Sequence, residues 1–138
     1  MKALTILIAI GGVLHLGLLT ASALVPRVLD WRAELKHVSA LTRQLVWVHG
    51  AFIVLVIIGF AVLSLAFAPA LAAGTPLARG VCGFIAIFWA TRLVVHLAVF
   101  DTKPYLTTIW LKLGERGLVV VFAYFALVYG FAALWPAS

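Results

Sequence analysis

The sequence predicts an all-α polytopic membrane protein, a four-helix transmembrane bundle with short amphipathic connecting helices, and three observations lead to it. The 138-residue chain is 66% hydrophobic, with a mean hydropathy of +1.23. Only 10% of its residues are charged, against about 25% in a typical soluble domain. The apolar residues gather in four runs long enough to cross a bilayer, at about 4–25, 41–67, 79–100 and 118–135. Such a chain forms one transmembrane domain, 1–138, and has no room for a soluble catalytic domain.

The first run carries His15 and ends at Pro26, which has no backbone N–H to continue a helix. Ala21-Ser22-Ala23 imitates a signal-cleavage site. Cleavage there would leave Arg27, Arg32, Lys36 and Arg43 outside, against the positive-inside rule, so a retained span is expected. Over 28–41, Val28, Leu29, Trp31, Leu35 and Val38 alternate with Asp30, Arg32, Glu34, Lys36 and His37, the pattern of a short helix lying on the membrane surface. The second run holds His49 early, with Gly59 and Ser64 where a neighbouring helix can approach. Pro69, Gly74 and Pro76 mark the connection to the third run, which Asp101, Lys103 and Pro104 terminate. A second surface helix is expected over 105–113 on Leu106, Ile109, Trp110 and Leu113, with Gly114 and Gly117 flanking a turn into the last span. Tyr124 and Tyr129 there read as packing or interface residues.

Charge sets the orientation. Arg27, Arg32, Lys36, Arg43, Lys103, Lys112 and Arg116 fall on one side, against Lys2 and Arg79 on the other, which puts both termini on the non-cytoplasmic side. The expected location is a bacterial inner membrane. The formal charge of +6 is scattered at helix ends without the aromatic-interleaved basic surface of a nucleic-acid binder, so lipid is the expected partner and nucleic acid is not. A membrane-protein partner or a homo-oligomer stays open. Cys82 is the only cysteine, which excludes an internal disulfide and fits a small buried hydrophobe.

The residues that need a reason are the polar ones inside the spans. An ionisable side chain at the centre of a span costs roughly 2.5 to 3.5 kcal/mol on insertion scales. Phe84, Phe88, Arg92, His96 and Phe100 recur every fourth residue and form a stripe expected to face inward. Counting residues puts His96 roughly 7 Å, His49 roughly 7 to 12 Å, Arg92 roughly 13 Å and His15 roughly 15 Å from the same boundary. Three histidines and an arginine thus share one half of the membrane.

The first reading of that cluster is a haem b site for electron transfer. His49 and His96 are the axial ligands, Arg92 or Arg43 pairs with a propionate, His15 modulates the site, and Phe52, Phe84, Phe88 and Trp89 flank the porphyrin. A quinone is compatible with it, since histidine exchanges protons near neutral pH and arginine holds an anionic oxygen. A second reading makes His15, His49 and His96 a copper or zinc site of a transporter or enzyme, with no carboxylate inside the membrane to assist. In a third, the same residues make interhelical hydrogen bonds in a non-catalytic subunit of a larger complex. Whether the protein is an enzyme, and on what substrate, the residues leave open.

Val25-Pro26-Arg27-Val28-Leu29, after a histidine-bearing first span and before Arg43 at the head of a second, resembles the small HemJ-type protoporphyrinogen oxidases and copper-resistance D-like membrane proteins. The resemblance covers roughly the first 65 residues. It implies a helical, haem-associated membrane oxidoreductase, with His15 matching the first-span histidine. In the later helices those oxidases have a lysine and a further histidine arrangement where this chain has Arg92 and His96, so the resemblance implies no substrate.

Overall fold

The computed structural model describes residues 2–99 and 107–135. They form α1 (Lys2–Val28), α2 (Trp31–Glu34) with a following 3-10 turn (Leu35–His37), α3 (Ala40–Ala66), α4 (Ala68–Ala72), α5 (Pro76–Ala98) and α6 (Ile109–Leu134). No strand occurs among the described residues. Helices α1, α3, α5 and α6 are each long and apolar enough to cross a membrane, which makes this a four-span integral membrane bundle.

The helix ends follow from local chemistry. Ser39, Thr75 and Thr108 stand just before α3, α5 and α6, and each side-chain oxygen accepts a backbone N–H at 3.2 Å, from Thr42, Ala78 and Leu111 respectively. Pro76 occupies the first position of α5, where a missing N–H matters least. Gly74, with φ 76°, makes the left-handed turn between α4 and α5.

Several boundaries differ from those expected. Pro26 does not stop α1: the helix continues to Val28, because the Leu29 N–H still reaches the Val25 carbonyl at 2.9 Å. Asp30 stops it instead, at φ 51°, a left-handed conformation that Asp tolerates better than most residues. That turn and the Ser39 cap leave room only for α2 and the 3-10 turn in place of a surface helix over 28–41. The connection after α3 contains α4, whose Ala68, Leu71 and Ala72 are buried against the bundle. The described part of the second expected surface helix, Ile109 to Leu113, is the start of α6, and Gly114 and Gly117 lie within that helix. Two glycines cost a helix about 1 kcal/mol each, too little to break one that runs 26 residues. Phe100, Asp101, Lys103, Pro104, Tyr105 and Leu106 lie outside the described residues.

Helix α1 is central, packed against α3, α4 and α6, while α5 packs chiefly on α6. Leu4, Ile8, Gly11, His15 and Leu18 are buried along α1 in alternate steps of four and three. Ala78, Cys82, Ile85 and Trp89 repeat the pattern on α5, as do Phe122, Phe125, Tyr129 and Ala132 on α6. This is the spacing of a knobs-into-holes seam. Lipid tails are as apolar as the helices, so close packing and interhelical hydrogen bonds hold such a seam together. At Gly11 an added Cβ would stand 2.7 Å from the Tyr129 hydroxyl, and at Gly12 2.7 Å from Leu65 Cγ, so α1 needs both glycines to fit between α6 and α3.

The core fills only one half of the bundle. No residue is buried on α1 after Leu18, on α3 before Ile57, on α5 after Trp89 or on α6 before Phe122. These limits lie on the same side. The bundle is closed near the termini and opens toward the opposite end at a cleft that separates α1 and α3 from α5, while α5 and α6 stay paired; that splayed end bears Arg27, Arg32, Lys36, Arg43, Lys112 and Arg116 and is called the basic end below.

Candidate functional site

The closed half contains a polar centre built on His15, which is fully buried. Its Nδ1–H donates to the Gly11 carbonyl at 2.7 Å, and its Nε2 accepts the indole N–H of Trp89 at 2.9 Å. An indole N–H can only donate and a carbonyl can only accept, so the ring is the neutral Nδ1–H tautomer with both nitrogens committed. Phe125 stacks on it with centroids 4.0 Å apart, and Phe60, Trp89 and Tyr129 close the remaining sides at 5.5 to 5.9 Å. Beside this cage the hydroxyls of Tyr129 and Ser64, both buried, share a hydrogen bond of 2.5 Å between α6 and α3. Among the described residues no buried side-chain polar atom lacks a partner. This centre specifies helix packing, and its imidazole offers no vacant lone pair.

The splayed half holds a cleft of about 420 Å³ between α1, α2, α3 and α5. Ser22 and Val25 come from α1, Trp31 from α2, residues from Thr42 to Val54 from α3, and Arg92 from α5. Its walls are mostly apolar, and His49 and Arg92 are its two ionisable groups. The His49 Nδ1–H donates to the Leu45 carbonyl one turn back at 2.8 Å, which fixes the ring and leaves Nε2 as its acceptor nitrogen. Trp31 reaches the site because α2 folds back over α3: its benzo carbons lie 3.6 Å from the point where a Gly50 Cβ would stand. Its ring also meets Trp47 edge-on at 5.3 Å.

A third polar feature joins α5 to α6. The Nε2–H of His96 donates to a carboxylate oxygen of Glu115 at 2.9 Å, with the Phe122 ring edge-on to the imidazole at 6.2 Å. Near the terminal end, Arg79 Nε–H donates to the Ala133 carbonyl at 2.8 Å, a cation at the negative end of α6.

The structure therefore brings His49 and Arg92 into one cleft, pairs His96 with Glu115 on another seam, and encloses His15 in the core. It contains no group of three metal-ligating side chains among the described residues, so the imidazole trio of the copper or zinc reading does not assemble. Neither His15 nor His96 lines the cleft; nor do Arg43, Phe52, Phe84, Phe88 and Trp89. The inward stripe on α5 is corrected at Phe84, which is 62% exposed, while Phe88 packs on the core, Arg92 lines the cleft and His96 meets Glu115; the fully buried face runs through Cys82, Ile85 and Trp89. Steps of four residues advance roughly 40° around a 3.6-residue helix, so the stripe does not keep to the core face. Gly59 meets no neighbour within 4 Å, whereas Ser64 does mark a close approach.

Glu115 is the residue that sequence reasoning missed. It falls between Gly114 and Gly117, where the sequence predicts a turn, whereas it belongs to a spanning helix. The signal available was its place in an unbroken helical run capped by Thr108.

Taken together, these features define the class: a four-span membrane bundle closed in one half and open to a polar-tipped cleft in the other. At the level of individual proteins, no protein-family model, no curated protein and no solved structure matches the chain.

Proposed function

We propose that this membrane protein binds a lipid-soluble molecule with an oxygen-bearing head in the cleft between α1, α2, α3 and α5. The observation that carries the reading is the cleft itself: an apolar space at a splayed end, with His49 and Arg92 in its wall. Its volume of about 420 Å³ lies within the range of small-molecule sites, about 300 to 1,000 Å³. Helices that part within the bilayer give such a ligand lateral entry from the lipid. Arg92 donates to the head, and His49 Nε2 accepts a hydrogen bond from it.

Haem b is the second reading, supported by the tethered His49 ring, the nearby guanidinium and the resemblance of the first half to haem-associated membrane oxidoreductases. In that form His49 is an axial ligand and Arg92 pairs with a propionate, while His96 stays with Glu115. The basic end faces the cytoplasm in either reading, and both termini face away from it.

The test is chemical analysis of what the full chain retains when purified from its own membranes. A lipid-soluble molecule held by wild type and lost from both His49→Ala and Arg92→Gln is the expected result. Retention unchanged in both variants, or no retained molecule, overturns the proposal. A Soret band lost in His49→Ala but kept in His96→Ala selects haem.

A further inference from the structure

The cleft's charge, size and aromatic wall narrow its occupant further. Of the cations near the basic end only Arg92 lines the space; Arg27, Arg32, Lys36 and Arg43 do not. A desolvated phosphate head carries up to two negative charges and requires more cation than Arg92 alone supplies. Arg92 already takes part in another contact, but its guanidinium carries five donors and can also serve a polarised carbonyl oxygen. The volume of about 420 Å³ suits a ring-sized head, with any chain leaving between the parted helices. Trp31 then gains a role: α2 buries none of its own residues, yet it holds this indole against the cleft over Gly50.

We infer that the ligand's head is a neutral, planar, quinone-type ring, with its oxygens toward His49 and Arg92 and its ring against Trp31. This rests on the reading of the cleft as a ligand site and adds the chemical class. Ring-on-ring contact with Trp31 supplies selectivity for flat heads over single-chain amphiphiles. The Arg92 guanidinium donates to one ring oxygen, and the His49 Nε2 lone pair accepts from a ring hydroxyl of the reduced form.

The experiment measures binding to the purified full chain in lipid nanodiscs, using a short-tailed benzoquinone, palmitate, haemin and inorganic phosphate as separate probes. The short-tailed quinone binds saturably and quenches tryptophan fluorescence. Arg92→Gln weakens it roughly ten- to a hundredfold, as expected for a lost charge-assisted hydrogen bond. Trp31→Leu weakens it roughly two- to tenfold, and Trp31→Phe restores most of the loss. Lys36→Gln, outside the cleft, leaves binding unchanged and controls for folding. If palmitate or haemin binds in a His49- and Arg92-dependent way and the quinone does not, the ligand cleft stands and the quinone class falls. Phosphate binding in the same dependent way also removes the quinone class. If no probe binds, or binding ignores both His49 and Arg92, both readings fall together.

Discussion

Replacing His15 by Phe keeps an aromatic ring inside the cage but removes the acceptor that the buried Trp89 N–H uses. An orphaned buried donor costs about 1 to 3 kcal/mol, so His15→Phe should lower the thermal midpoint clearly while leaving ligand retention intact in the surviving folded fraction. A loss of retention at full stability would instead make His15 part of the site. Gly11→Ala should also destabilise, by about 1 to 3 kcal/mol for overpacking, because its Cβ meets the Tyr129 hydroxyl at 2.7 Å. Removing that oxygen in Gly11→Ala/Tyr129→Phe should recover part of the loss, read as a non-additive double-mutant cycle. At this scale the sequence marked the polar residues inside the spans but not their partners. His15, His49, Arg92 and His96 were visible as polar interruptions of apolar runs. Their pairing with Trp89, the Leu45 carbonyl, the cleft and Glu115 depends on helix rotation, which one sequence does not specify.

The spans themselves were legible because hydropathy and length decide them, and their observed boundaries lie close to those expected except where α6 starts. That start was obscured by Gly114 and Gly117, read as turn residues when Thr108 was the actual cap. The distinction is measurable. Nothing lies within 4 Å of a Cβ added at either glycine, so alanine at each should stabilise α6 by up to about 1 kcal/mol through helix propensity. If those residues formed a turn, the same changes would destabilise the protein. The α5–α6 seam gives a complementary case. Glu115→Gln keeps a hydrogen-bond acceptor for His96 but removes the charge, and the pair is partly exposed, at 11% and 24% of side-chain area. The expected loss is below about 1 kcal/mol. A severe loss of stability would show that the pair, rather than the packing of Phe122, Phe125 and Trp89, holds α5 to α6.

For the molecule as a whole, the division into a closed and a splayed half matters most, and no periodicity in the sequence announces it, because apolar residues fill both halves. It makes Cys82 a reporter: fully buried in the closed half, it should resist a maleimide until the bundle unfolds, so its labelling rate follows global opening. The same asymmetry bears on orientation. The described cations Arg27, Arg32, Lys36, Arg43, Lys112 and Arg116 gather at the splayed end, while Arg79 at the other end is tied to the Ala133 carbonyl. With basic residues so distributed, the splayed end should face the cytoplasm, and the cleft would take its ligand from the inner leaflet. In a Cys82→Ala background, a cysteine at exposed His37 should react with a membrane-impermeant maleimide only when the reagent reaches the cytoplasmic face. A cysteine at Leu77, 79% exposed at the start of α5, should react only from the opposite face. The reverse pattern would turn the cleft toward the outer leaflet and overturn the assigned direction of ligand entry, while leaving the contacts of His49 and Arg92 as they are.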